Sequence, residues 1–456
     1  MSARNFNIGV ALTAHAEAEL FRKSWASLLK AVARARRHGL KVQISVCLDS
    51  PDQGTQEIVS ELTKQSPDTQ LCRVDFRDAS RSRNRSIAAC NADYIAVLDG
   101  DDLICESWLI EAYTLASKPN GQRTIFHPEL SLFFGPNEHL IRHISLRADE
   151  KYRAGLFLDY NPWTALSFGA AELYEKHPYK SALISTGFAF EDWTWNAEIH
   201  TSGLDHLVVP KTLHFIRLKP AGSRNISASH QWCLPGRMPG TALCSMKSER
   251  AESTVKNSST APRTKHSLIK KTLAKVLQLG NEPKYRLRPW MHEELFRQRL
   301  VPGELGYLRA LNPQAMFIRD ASHLDDPLHY ANVLNASQMN LLSHRGELDR
   351  LIWLDSQRPR AVEKVKQLLA EAKESEKVFV VSSFKNEMEP QDAPFWISIA
   401  NLKTSFSQDR YLHFIATLLS QGIFGALSLF DSDNSRLFLE RYSKAMKASG
   451  VKIDLL

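Results

Sequence analysis

The sequence predicts an α/β fold arranged as two successive units, and three observations predict it. Short apolar runs alternate with segments whose apolar residues recur at helical spacing; the alternation stops in a stretch rich in Gly, Pro, Ser, Thr and Lys; it then resumes to the end. Composition agrees, since 43% hydrophobic and 24% charged residues over 456 positions are ordinary for globular domains.

The elements follow in order. Phe6 to Ala14 reads as a buried strand, after which Leu20, Phe21, Trp25, Leu28, Leu29 and Val32 fall on one helical face. Strand Val42 to Leu48, helix Gln56 to Leu62, strand Leu71 to Phe76, helix Ser80 to Ala89 and strand Tyr94 to Leu98 come next. Strands separated by helices imply right-handed crossovers and a mainly parallel sheet with ligands beyond its carboxyl ends. Chemistry is therefore expected just after Leu12, Leu48 and Leu98. Thr124 to Leu146 reads as hairpin-like structure around Gly135-Pro136-Asn137. Aromatic-rich loops follow, then a helix from about Asp192 to Ser202 stopped by Gly203, and a strand within Leu207 to Leu218.

Residues 236–264 read as a linker, and Leu268 to Leu279 as an amphipathic helix with Lys270, Lys271 and Lys275 off its apolar side. The second alternation runs through strand Leu351 to Leu354, helix Arg360 to Ala372, strand Val378 to Val381, helix Arg410 to Ser420, strand Phe424 to Phe430, helix Asn434 to Ala448 and strand Val451 to Leu455. The expected organisation is a first domain over 1–235, a basic linker over 236–288 and a second α/β domain over 289–456.

Charge is concentrated. The 58 Lys and Arg against 50 Asp and Glu give +8, but residues 237–288 alone carry +9 and the remainder is near neutral. A basic domain spread over nucleic acid is excluded, and the cationic helix is read either as docking on its own protein or as a peripheral contact with a membrane surface. The six cysteines show no C-x-x-C pair and no ligand-like spacing with histidine, which argues against a disulfide scaffold or zinc ribbon. Met1 to Gly9 lacks a signal peptide's long apolar run, and the purest apolar stretch elsewhere, Ile423 to Phe430, has eight residues. A reduced, cytoplasmic chain is expected.

The sharpest motif is Tyr94-Ile-Ala-Val-Leu-Asp99-Gly-Asp101-Asp102, an apolar strand delivering carboxylates at its end. Carboxylates spaced D-x-D can hold one hard divalent cation while that cation bridges a nucleotide's phosphates; the bland alternative is a solvated turn or helix cap. Asp431-Ser-Asp433 shows that alternative, as a cap for the helix at Asn434. Upstream of Asp99 lie Val46-Cys-Leu-Asp49-Ser-Pro-Asp-Gln-Gly54-Thr55 and Ser80-Arg81-Ser82-Arg83-Asn84-Arg85-Ser86-Ile87. Taken together, over about residues 5–225, these segments resemble the nucleotide-sugar domain of family 2 glycosyltransferases, which have the Rossmann-like GT-A fold.

The resemblance implies that Asp49 meets the nucleobase, that Arg83 holds the base or its carboxylate partner, and that Asp99 and Asp101 serve the ribose and a Mn²⁺ or Mg²⁺ ion. Thr13 and His15 belong to the nucleotide-facing first turn, where Thr13-Ala-His15-Ala replaces the family's usual residues. Leu48 takes one of two usually acidic positions, so uracil, thymine and guanine all stay open as the base.

Gly187-Phe-Ala-Phe-Glu191-Asp192-Trp193-Thr-Trp195 looks like the family's acceptor-side E-D motif. Sugar transfer with inversion needs one base near the acceptor hydroxyl, which makes Asp192 the base, Glu191 its orienting partner or an acceptor contact, and Trp193 and Trp195 the rings that pack on sugar. The other reading makes Asp192 a helix cap and the tryptophans core. After the last strand, His214 is placed to complete the metal shell or to meet phosphate, and Arg217 and Lys219 to neutralise the departing diphosphate; the bland alternative is a solvated strand edge. Asn161-Pro162-Trp163 stays open between an acceptor pocket and a structural aromatic cluster.

The expected activity is inverting, metal-dependent transfer of a sugar from a nucleoside-diphosphate donor to a glycan or lipid-linked glycan, in surface polysaccharide assembly. A nucleotidyltransferase finds no glycine-rich phosphate loop in support. The non-enzymatic alternative is a sugar-nucleotide-binding or scaffold subunit. The C-terminal part resembles the opening of a GT-B-type domain, which implies an incomplete unit without its own donor half.

Overall fold

The computed structural model describes residues 4–134, 139–149, 157–158, 161–218, 233–236, 348–355, 358–372, 376–383, 396–398, 407–421 and 424–456. The turn at Gly135 to Asn137, residues 237–288 of the expected linker and basic helix, Lys219 and residues 289–347 lie outside them.

The first unit alternates as the sequence does: β1 (Phe6–Ala14), α1 (Glu19–Arg37), β2 (Val42–Asp49), α2 (Gln53–Lys64), β3 (Thr69–Val74), α3 (Ala79–Ala88) and β4 (Ala92–Asp99). These four strands pair in parallel in the order β3-β2-β1-β4. The order reverses beside β1, so the crevice beyond its end is where a ligand is expected. Asp52 and Asp78 cap α2 and α3 by accepting from Thr55 N and Arg81 N. On α1, Phe21, Trp25, Leu28 and Val32 are buried against the sheet as the spacing predicts. Leu29 is 37% exposed, one position off that stripe, which corrects its inward assignment.

The sheet then changes direction. After β5 (Leu103–Ile104) and α4 (Trp108–Ala116) come β6 (Thr124–Phe134), β7 (His139–Arg142), β8 (Ser167–Ala170), α5 (Ala171–Lys176), β9 (Phe188–Ala189), α6 (Glu191–Thr201), β10 (Asp205–Arg217) and β11 (Leu234–Pro235). Strand β8 lies antiparallel to both β4 and β6, β10 runs parallel to β6, and β7 forms the expected hairpin with β6. The two-residue β5 pairs with β10 at His214↔Ile104. That pairing brings the end of the last long strand to the Asp99–Asp102 turn.

The second unit has β12 (Leu348–Leu354), α7 (Pro359–Glu371), β13 (Val378–Ser382), β14 (Trp396–Ser398), α8 (Gln408–Ser420), β15 (Phe424–Leu429), α9 (Asp433–Ala448) and β16 (Lys452–Leu455). Among the described residues its five strands are all parallel, in the order β14-β13-β12-β15-β16. Ser432 caps α9 in a capping box with Ser435, the role read for the Asp431–Asp433 turn. Among the described residues no helix is long and apolar enough to cross a membrane.

Behind β6 and β10 lies a buried histidine stack. His127 and His206 are fully buried, hydrogen-bond to each other at 2.8 Å, and stack with Trp163 at ring separations of 4.7 and 4.1 Å. His143 bridges Ser131 Oγ and the Pro162 carbonyl. Burial holds all three neutral, pushing His143 down to about 4 and the other two well below the usual imidazole range. The unfolded chain binds protons at these sites below about pH 6.5 and the native chain does not, so each costs up to about 1.4 kcal/mol per pH unit as pH falls. Urea midpoints between pH 7 and 5 are expected to fall in the wild-type chain, and His143→Gln is expected to remove about one proton from that slope. Equal slopes in the two chains would rule this out.

Candidate active site

Parallel pairing sets Thr13 at the end of β1 beside Asp99 at the end of β4. Thr13 Oγ1 donates to Asp99 Oδ1 at 3.2 Å. The next residue must be glycine, because a Cβ on Gly100 would stand 2.5 Å from the Thr13 carbonyl oxygen. Gly100 thus lets the acidic turn close over β1.

The centre of the site is Arg83. Helix α3 buries it to 4% exposure, and its guanidinium donates through Nε and Nη2 to Asp99 at 2.9 to 3.2 Å and through Nη1 to Glu191 at 2.5 Å. Burial opposes its charge, but Asp99 and Glu191 more than offset that and raise its pKa. Burial alone would raise the Asp99 carboxyl, and Arg83 overrides it and holds the group below its usual range.

Asp192 has the opposite environment. Burial first, and the neighbouring Glu191 second, push its carboxyl up to about 6. Its Oδ2 accepts from Asn161 Nδ2 at 3.1 Å, and Asn161 Oδ1 accepts from Asn196 Nδ2 at 3.0 Å. The cap position of α6 is Phe190 in the left-handed region (φ 62°), without a side-chain hydrogen bond, so Asp192 stands inside the first turn and is not the cap. Asp192 and Glu191 therefore occur together with Arg83 and Asp99, joining the E-D segment to the end of β4.

Asp49 is 5% exposed, and its carboxylate accepts from the backbone N–H groups of Phe76, Arg77 and Asp78 and from the hydroxyls of Ser50 and Ser82. Burial would raise its pKa, but these donors hold it below the usual range. The geometry gives Asp49 the task of shaping the loop after β3. His15 stands above it on the exposed lip, with Nδ1 2.6 Å from the Asp49 carbonyl.

His214 is 1% exposed, its Nδ1 meets Thr164 Oγ1 at 3.0 Å, and burial pushes it down to about 3, so the imidazole is neutral. Its Nε2 lies 3.1 Å from Asp102 Oδ2, misaligned for a hydrogen bond. The carboxylate brought to His214 is thus Asp102, which the sequence reading passed over; its Oδ1 also accepts from Arg217 N at 3.1 Å. The Arg217 guanidinium lies over the Phe134 ring. Asp101 is partly exposed on the same turn.

The tryptophans pack as core. Trp195 is stacked between Tyr174 and Tyr179 with Nε1 on the His177 carbonyl, and Trp193 donates to the Phe157 carbonyl. With exposures of 2% and 8%, neither presents an open face for a sugar, because α6 turns both toward the interior.

Residues 10–157 match the family model described as glycosyl transferase family 2. The match covers β1 to β7 of the first unit and supports a glycosyltransferase. Partial structural likeness extends to S. aureus TarS 1-349 in complex with UDP-GlcNAc, at 10% identity and a TM-score of 0.35 over 48% of this chain and 60% of that one. It also extends to the mannosyltransferase PcManGT from Pyrobaculum calidifontis in complex with GDP-Man and Mn²⁺, at 12% identity and a TM-score of 0.34 over 81% of each chain. This chain spans about 60% of the TarS structure's length. No curated protein matches it.

Removing Arg83 leaves two part-buried carboxylates facing each other. Arg83→Met is expected to cost about 3–5 kcal/mol in urea unfolding, and adding Glu191→Gln is expected to restore part of the loss. Independent, additive effects of the two substitutions would contradict the bridge.

Proposed function

We propose that the chain transfers a sugar, with inversion, from a nucleoside-diphosphate donor to a hydroxyl of a glycan or lipid-linked glycan, as a cytoplasmic-side step of surface polysaccharide assembly. The observation that carries this reading is the Arg83 bridge from Asp99 to Glu191, which brings two aspartates of unlike environment, Asp99 and Asp192, to one place. Asp99 is held ionised at the end of β4, and Asp192, pushed up to about 6 by burial and the Glu191 charge, is poised to take a proton.

In the transfer, the acceptor hydroxyl gives its proton to Asp192 while its oxygen bonds to the anomeric carbon and the bond to the diphosphate breaks. Glu191, fixed by Arg83, raises the basicity of Asp192; Asn161 keeps one of its oxygens oriented. Arg217, with Lys219 beyond the described residues, is assigned to the charge gathering on the leaving diphosphate. Thr13 and His15 line the nucleotide side.

A divalent cation fits this turn. The 3.1 Å between His214 Nε2 and Asp102 Oδ2 is close to the spacing of about 3.0 Å between neighbouring ligands on an octahedral ion with bonds of about 2.1 Å. His214 Nε2 is buried and lacks a hydrogen-bond partner. Among the described residues no three acidic, His or Cys side chains are gathered to hold an ion alone, so Asp101, Asp102 and His214 would share it with the donor's phosphates. Asp99 engages Arg83 instead. When bound, Mn²⁺ or Mg²⁺ would supply neutralising charge at the diphosphate.

Calorimetry with UDP, dTDP and GDP, with and without Mn²⁺, tests the donor side; metal-dependent binding of one nucleotide, lost in Asp101→Ala, is expected. Asp192→Asn is expected to keep that binding while transfer falls by about 10²- to 10⁴-fold. In the wild-type chain transfer should rise with pH through about 6, as Asp192 loses its proton. No nucleotide binding by folded protein, or full transfer by Asp192→Asn, would overturn the reading.

A further inference from the structure

The second unit is continuous with the site. Helices α8 and α9 contribute Tyr411, Phe414, Phe438 and Tyr442 to one apolar core that also holds Phe157 and Trp193 of the first unit. The contacts converge behind the segment that carries the carboxylates. The Trp193 ring lies 6.0 Å from the ring of His413 on α8. Gly187, at φ +97°, approaches α9 so closely that a Cβ on it would stand 2.9 Å from the Ala445 Cβ. The Gly187 carbonyl accepts from Leu234 N, and β9 pairs with β11, against which α8 packs.

Two residues of this short segment, Gly187 and Phe190, have left-handed backbone. A bulky residue in that region is strained and persists only where its surroundings over-determine it. Here the surroundings come from both sides: Arg83 grips Glu191 in front, and α8 and α9 press on Gly187 and Trp193 behind.

We propose that the C-terminal α/β unit is a built-in positioning element for transfer, whose helices α8 and α9 hold Gly187 to Asp192 in the one conformation that sets Glu191 on Arg83 and keeps Asp192 desolvated. The inference rests on the reading of Asp192 as the base. It assigns the second unit a task that needs no ligand or active site of its own. His413 and Ala445 are positioning residues, acting through Trp193 and Gly187.

The test compares the full-length chain with Ala445→Leu, which lengthens the side chain facing Gly187, and with His413→Ala, which removes the ring facing Trp193. Lys447→Ala, on the exposed side of α9, is the control. Amide hydrogen exchange over residues 187–194 is expected to quicken at least tenfold in both variants, kcat to fall at least tenfold, and nucleotide affinity to stay within twofold. The acid limb of the kcat profile is expected to move from about 6 toward the ordinary carboxylate range as Asp192 gains water. The control should match the wild type throughout. If Ala445→Leu does not fold, His413→Ala carries the same comparison. Unchanged exchange or unchanged kcat in folded variants of an active chain overturns this inference alone; a wild-type chain without transfer overturns the catalytic reading and this inference with it.

Discussion

One buried guanidinium organises the molecule's chemistry. Arg83 is nearly inaccessible to water, and a charge in that position persists only if it is paired and hydrogen-bonded. Its partners come from β4 and from the start of α6, more than 90 residues apart in sequence, so α3, the acidic turn and the E-D segment must assemble together. Asp49 supports this from below by gathering three backbone N–H groups of the loop that leads into α3. Gly100 supports it from above by letting the turn close onto β1.

The same bridge divides the carboxylates by environment. Asp99 shares both oxygens with Arg83 and stays ionised, whereas Asp192 meets burial and a like charge without direct contact with the guanidinium. Two neighbouring aspartates thereby acquire different proton affinities, which is what the proposed transfer requires of them. The second unit adds the remaining constraint, since its helices lie behind the strained segment that presents the pair.

The parallel part of the first sheet was legible because its strands are apolar throughout and its helices keep a clean stripe; β1 has the bounds its sequence suggests. Helix α4 and strand β8 were not legible. Trp108 to Ala116 is apolar on most sides and blurs the helical period, and Ser167 to Ala170 is a short run whose antiparallel pairing is decided by β4 and β6. In the site, residue types and order pointed to Thr13, Arg83, Asp99, Glu191 and Asp192, which do converge. The pairings were hidden: nothing local shows that His214 meets Asp102 and not Asp101, since the register of β5 on β10 decides it. Trp193 and Trp195 misled for a similar reason: two positions apart they face opposite sides of α6, and tertiary packing buries both sides, Trp195 in the first unit's core and Trp193 in the core shared with α8 and α9. Asn161, left open between pocket and packing, gains its role only through distances to Asp192 and Asn196.

The central claim is that burial, reinforced by the Glu191 charge that Arg83 holds in place, raises the proton affinity of Asp192 as the proposed base, and the pH dependence of single-turnover transfer in Glu191→Gln tests it most directly. With the neighbouring charge removed, the limb near pH 6 is predicted to move to lower pH while donor affinity is retained. A limb that stays in place in an active, folded variant would contradict the account.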